Sequence, residues 1–79
     1  MEMRERIINV LSEQLGVNKS EISDESNLVN DLGADSLDVV EIIMALEKEF
    51  DLTIPDSEVD GIKTVGDLVK KAEKLNSGK

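Results

Sequence analysis

Three stretches of this chain set their apolar residues at helical spacing, and a helix with one apolar stripe must bury it against another element. In residues 2–15, Met3, Ile7, Val10, Leu11 and Leu15 share one stripe, with Glu5, Asn9, Ser12 and Glu13 opposite. In residues 36–50, Val39, Ile42, Ile43, Leu46 and Phe50 share one side. After Thr64, Val65, Leu68, Val69, Ala72 and Leu75 make a third stripe. The ends are marked as well. Gly16 is a natural C-cap. Asp35 with Asp38, and Thr64 with Asp67, have the spacing of capping boxes. Lys70, Lys71 and Lys74 suit the negative end of the last helix, and Asn76 to Lys79 is expected to fray. Pro55 suits the first position of a short helix through about Asp60, which Gly61 ends. The expected fold is all-α: a small four-helix bundle of three main helices and one short helix, with a long first loop. Residues 1–79 are expected to form a single domain.

That first loop, residues 17–35, is longer than a compact domain usually tolerates without a purpose. Asn18, Ser20, Ser23, Asp24, Ser26, Asn27 and Asn30 break any helical period, while Val17, Ile22, Leu28 and Leu32 are spaced as apolar anchors. The loop must cross the bundle and deliver the start of the second helix. In the second connection Asp51 to Ile54 reads as extended, with Ile54, Val59 and Ile62 directed inward. A calcium loop is excluded: Gly33 at its sixth position would put Leu28 at the first, where a carboxylate is required.

Several chemistries are excluded by what the chain lacks. It has no cysteine and no histidine. A disulfide, a thiolate metal site, a Ser-His pair and the commonest metal ligand therefore go together. Any thiol chemistry would need a prosthetic group. The glycines two residues either side of a nucleophilic serine are missing around Ser36, and no Walker loop is present. Carboxylate pairs such as Asp35 and Asp38 are read as caps, not as an acid and base. No specific metal site is expected. Nine basic against eighteen acidic residues leave a net charge of −9. Residues 35–60 hold nine of the acids and one base, whereas residues 61–79 carry five bases and two acids. Nucleic acid and anionic membrane are disfavoured as partners, and basic protein surfaces favoured. With no apolar run of membrane-spanning length and no basic-then-apolar leader, a soluble, cytoplasmic protein is expected.

The candidate site is Gly33-Ala34-Asp35-Ser36-Leu37 and the helix after it. Gly33 marks a turn, and Ser36 falls in the first helical turn. Unpaired backbone N–H groups and the helix dipole there favour an anionic group, such as a phosphate ester on the hydroxyl, although the nearby carboxylates oppose it. The side of this helix away from the core stripe carries Leu37, Val40, Glu41, Met44, Glu47 and Lys48. Three apolar residues on a polar face fit either a helix buried on both sides or an apolar patch rimmed by carboxylates. So few elements remain to cover a second face that the patch, a partner surface, is preferred.

Asp35-Ser36-Leu37 within Leu32-Gly33-Ala34-Asp35-Ser36-Leu37-Asp38, with Val40-Glu41 and Met44-Ala45-Leu46-Glu47, resembles the bacterial acyl carrier proteins of dissociated fatty-acid synthases. Glu13-Gln14-Leu15-Gly16-Val17 and the stretch from Phe50-Asp51 to Ile54-Pro55-Asp56 extend the resemblance over nearly the whole chain. It implies that Ser36 carries 4′-phosphopantetheine, transferred from coenzyme A by a holo-carrier synthase (a phosphopantetheinyl transferase), and that the protein is a carrier with no catalysis of its own. It also implies fatty-acid synthesis enzymes with basic docking surfaces as partners. The implied docking residues are Asp35, Leu37, Asp38, Val40, Glu41, Met44, Glu47 and Asp56. The implied acyl-chain pocket is lined by Ile42, Leu46, Ile54, Val59 and Ile62. A monomer is expected. Lys48 departs from the family, which usually has an acid there. Two other readings stay open: an acidic docking module with no prosthetic group, and a polyketide or peptidyl carrier. Ala34-Asp35 and the acidic Glu41/Glu47 face look more like fatty-acid synthesis than the latter.

Overall fold

Among the described residues, four α-helices follow one another in the order α1 (Met3–Leu15), α2 (Ser36–Phe50), α3 (Asp56–Val59) and α4 (Val65–Ser77). The computed structural model describes residues 2–77, the last of them in its backbone alone. The fold is the expected one of three main helices and one short one. α1 packs against both α2 and α4. Ile7 and Leu11 from α1, Ile42 and Leu46 from α2, and Val65 and Leu68 from α4 are almost wholly removed from water. Each such side chain contributes about 1.5–3 kcal/mol of transfer free energy.

The signals for helix ends act as read. Gly16 takes a left-handed conformation, φ 68°, and its N–H donates to the Ser12 carbonyl at 2.9 Å. Four details differ from expectation. Ile8, outside the assigned stripe of α1, is buried, because the long loop folds against that side and brings Ile22 to it. The loop contains one turn of 3-10 helix, Lys19–Glu21, pinned where the Asn18 N–H donates to the Glu21 carboxylate at 3.2 Å. Pro55 stands just before α3 with an extended ψ of 145°, so α3 is the four residues Asp56–Val59, with Asp60 as its cap. Asn76 remains helical, the dipole-matched lysines lying in the preceding turns; Gly78 and Lys79 lie outside the described residues.

The long loop is tied down by its backbone. Asn27 and Thr64 form an isolated antiparallel bridge. Around it the Leu28 N–H donates to the Lys63 carbonyl and the Val65 N–H to the Ser26 carbonyl, both at 3.0 Å. The Gly66 N–H donates to the Asp24 carbonyl at 2.8 Å. A Cβ on Gly66 would sit 3.1 Å from that same oxygen, tighter than ordinary contact, so glycine suits the close approach. Ile22, Leu28 and Leu32 are buried as anchors, and Val17 is half-buried.

Charge supports the frame locally. Arg6 holds Glu49 at 2.8 Å and lies 4.6 Å from the centre of the Phe50 ring, joining α1 to the end of α2. Arg4 pairs with Asp24 at 2.7 Å, and Lys71 on α4 with Glu58 on α3 at 3.2 Å. The two arginine pairs are exposed, and exposed pairs contribute about 0–1 kcal/mol each. At the start of α4, Asp67 accepts the Lys63 and Thr64 N–H groups at 3.2 Å, and these hold its carboxyl below the ordinary 3.8. Its contribution to stability is therefore present above that value and is lost as pH falls through the lowered folded value.

Two expectations follow for stability. Leu46→Ala, on the buried side of α2, should cost about 2–5 kcal/mol, whereas Met44→Ala, on the exposed side, should cost under about 0.5 kcal/mol in thermal or urea melts. Asp67→Asn should lower the melting temperature at pH 7, and the difference from wild type should shrink in melts taken at successively lower pH, as the native carboxyl is protonated at its lowered value.

Candidate functional site

The start of α2 is set by two reciprocal hydrogen bonds. The Asp38 N–H donates to Asp35 Oδ1 at 2.9 Å, and the Asp35 N–H donates to Asp38 Oδ2 at 3.2 Å. This makes Asp35 the N-cap and Ser36 the first helical residue. The approach to it is equally defined. Asn27 Oδ1 accepts from the Val29 and Asn30 N–H groups, and Asp31 Oδ2 accepts from the Asn27 N–H at 2.7 Å, closing a turn. Gly33 ends that turn at φ 77°, a left-handed conformation that costs other residues about 1–2 kcal/mol. Ala34 is buried and donates its N–H to the Leu28 carbonyl at 2.9 Å. A buried residue two positions earlier thus anchors the chain, while Ser36 itself is exposed.

From Ser36 the outer side of α2 runs on as an uncovered surface. Leu37 is 66 % exposed, Val40 50 % and Met44 61 %. Glu41 lies among them, exposed, and accepts a hydrogen bond from the Gln14 side chain at 3.1 Å. Lys48, at the end of this face, is exposed and stands in the last turn, where a cation suits the helix dipole. Glu47 is different. It is half-buried, and its carboxylate accepts the Ile54 N–H at 2.8 Å. Asp56 is exposed but belongs to α3, across the loop that Glu47 holds. One exposed apolar residue escaped the sequence reading: Val29, 55 % exposed, in the turn before Gly33. Its place between buried Leu28 and polar Asn30 offered the only hint. Val29 and Val39 line a groove of about 330 Å³ with Asp60, Ile62 and Lys63, and Val39 lies one helical turn beyond Ser36.

Ile42, Leu46, Ile54 and Ile62 are buried and Val59 half-buried, as parts of the packed core. A wider groove of about 930 Å³ lies elsewhere, between the beginnings of α1 and α4, and is lined by mixed charges including Arg4, Asp24, Asp67 and Lys70. Among the described residues, no group of three or more acidic side chains is arranged to hold a metal ion.

The chemistry available at Ser36 is that of an acceptor. The two carboxylates beside it are engaged with backbone N–H groups, and the chain has no histidine to take a proton from the hydroxyl. The hydroxyl stands where bulk is not obstructed and where the first N–H groups of a helix have no partner within it.

Comparison with known proteins agrees with this geometry. The family described as a phosphopantetheine attachment site matches residues 5–71. An acyl carrier protein of Prochlorococcus marinus (strain MIT 9515) is 53 % identical over 72 residues, covering 91 % of this chain and 90 % of that protein. A solved structure named as an acyl carrier protein from Mycobacterium tuberculosis superposes with a TM-score of 0.88 at 36 % identity, covering 92 % of this chain and 97 % of the other. The chain belongs to the acyl carrier family that bears a phosphopantetheine attachment site, a family of carriers and not of catalysts.

Proposed function

We propose that Ser36 is the attachment point for 4′-phosphopantetheine, and that residues 1–79 act as a single carrier domain serving fatty-acid synthesis. The observation that carries this reading is an exposed serine as the first residue of α2, at the head of an exposed apolar stripe. When bound, the group supplies a terminal thiol that holds acyl chains as thioesters. The residues of the chain then divide the remaining work. The first turn of α2 offers N–H groups and the positive end of its dipole to the negative charge on Ser36. Asp35 and Asp38 oppose that charge, but their bonds to the backbone fix the serine's position. A tethered cargo is presented to each enzyme at high effective concentration, so the protein itself needs no catalytic group.

Docking, in this reading, uses the outer face of α2. Asp35, Asp38, Glu41 and Glu47, with Asp56 beyond, draw in a basic enzyme surface such as that of a phosphopantetheinyl transferase. Leu37, Val40 and Met44 provide the contact. Many partners must take turns, and steering by charge gives fast association without tight binding. Lys48 adds a cation within this face and alters its fit to basic surfaces. Ile42, Leu46, Ile54, Val59 and Ile62 would receive the acyl chain. Because they pack as core, the chain would enter by parting α2 from α3 and the segments beside it. A core with a single aromatic residue, Phe50, is suited to such yielding. A monomer acting in the cytoplasm fits this role.

Three measurements test it. Incubation with coenzyme A and a phosphopantetheinyl transferase should add one phosphopantetheine to the intact mass of the wild type and none to Ser36→Ala, which should fold normally; modification retained in that variant would overturn the assignment. In stopped-flow binding to a basic partner, Glu41→Lys should slow association, with a difference that shrinks as salt is added, whereas Met44→Ala should speed dissociation with little dependence on salt. Amide chemical shifts of the octanoyl form should differ from those of the holo form at Leu46, Ile54, Val59 and Ile62, and changes confined to the neighbours of Ser36 would refute burial of the chain.

A further inference from the structure

The outer stripe of α2 is not uniform along its length. At about 100° per residue, Leu37, Glu41, Met44 and Lys48 fall within about 60° of one another, so they form one line down the helix. Each of them is exposed. Acids stand at the end near Ser36: Asp35 and Asp38 at the cap, then Glu41, which the Gln14 side chain holds at 3.1 Å. The far end differs. Glu47 is half-buried, and its carboxylate accepts the Ile54 N–H at 2.8 Å. Glu49 is held by Arg6 of α1 at 2.8 Å. Asp51 follows the last turn as its left-handed cap. What the line itself presents there is Lys48, which among the described residues makes no ion pair.

Along the axis Lys48 lies about 18 Å beyond Ser36 and about 10 Å beyond Glu41. Both spans exceed the Debye length of about 8 Å at physiological salt, so the acids at the serine end do little to neutralise it. Lys48 also follows Met44 by one helical turn. A partner that covers Met44 therefore covers Lys48, or meets it at the edge of the contact. An ammonium group taken out of water without a counter-charge is costly, and one set against a like charge is also repelled. A surface that is basic throughout thus fits the serine end of the stripe but not the other end.

We propose that Lys48 is a specificity-determining residue of the docking face: it pairs with an acidic side chain on an otherwise basic enzyme surface, and so fixes the direction in which that surface lies along α2. In the reversed orientation Lys48 would face the partner's cations, and the acids near Ser36 would face its acid. Like charges set together in this way disfavour the wrong complex. The forward orientation is the one that brings Ser36 to the groups that modify it. The inference rests on the carrier reading, since that reading supplies the basic enzyme. It adds the chemistry of one further group on that enzyme and the place at which it must stand.

Steady-state kinetics with the phosphopantetheinyl transferase of the same organism, followed by the intact mass of the chain, test the pairing. At low salt Lys48→Gln should raise the KM for this chain about threefold and Lys48→Glu about tenfold, with kcat little changed, as for a contact made equally in the bound and transition states. Lys48→Arg keeps the charge and should return KM to that of the wild type. Lys70→Glu, at an exposed position of α4, makes the same change in net charge and should leave KM within about twofold, which separates a local pair from the overall field. A KM that falls or stays unmoved in Lys48→Glu would overturn the proposal, as would an equal rise in Lys70→Glu. The same experiment separates the two readings. A mass gain with a KM indifferent to position 48 removes the Lys48 pairing alone, whereas a wild-type chain that gains no mass removes the carrier assignment on which the pairing rests.

Discussion

The reciprocal bonds between Asp35 and Asp38 fix the residue at which α2 begins, and the register of the helix is fixed with it. At 3.6 residues per turn each position is rotated by about 100° from the last. Starting at Ser36 turns Ile42, Ile43, Leu46 and Phe50 into the core and leaves Leu37, Val40 and Met44 outside. The same start puts the serine hydroxyl at the end of the uncovered face. The exposed serine and the uncovered face, proposed above as attachment point and contact surface, are therefore consequences of one cap.

That cap must itself be held, and regular structure does not do it. The chain before Ser36 is a long loop, kept in place by a few directional contacts. The bridge between Asn27 and Thr64 ties its middle to the beginning of α4, and Gly66 permits the close approach to Asp24 that secures it. Asn27 and Asp31 close a turn, Gly33 reverses it, and buried Ala34 holds the last residue before the cap. The second connection is managed in the same way by Glu47. In both loops, polar groups do the positioning and isolated apolar residues supply the burial, which lets a small core support two connections that cross it.

Much of this was legible in the residues. The helices could be read because their signals are local: apolar spacing within each, and Gly16, Asp35, Gly33 and Thr64 with Asp67 at the ends. The uncovered face of α2 was legible because Leu37, Val40 and Met44 exceed what a polar face needs. What escaped depends on residues distant in sequence. The burial of Ile8 comes from a loop folding over it, and the fitness of glycine at position 66 from Asp24. The grip of Glu47 on Ile54 spans a turn whose left-handed residue is Asp51, where glycine would have been the usual mark. An acid on an exposed-looking helical position reads as surface charge, and only the fold reveals that its carboxylate is engaged.

The division of α2 into a side that packs and an uncovered side, proposed to receive partners, is the centre of the account. It is tested most directly by titrating the isotopically labelled chain with a phosphopantetheinyl transferase, without coenzyme A, and mapping the amide shifts. The account predicts changes that begin at Ser36 and follow Leu37, Val40, Glu41, Met44 and Glu47, leaving the outer surfaces of α1 and α4 at Glu5 and Glu73 unaffected. Changes centred instead on the groove between the beginnings of α1 and α4, or on Lys63, Lys70 and Lys74, would contradict it.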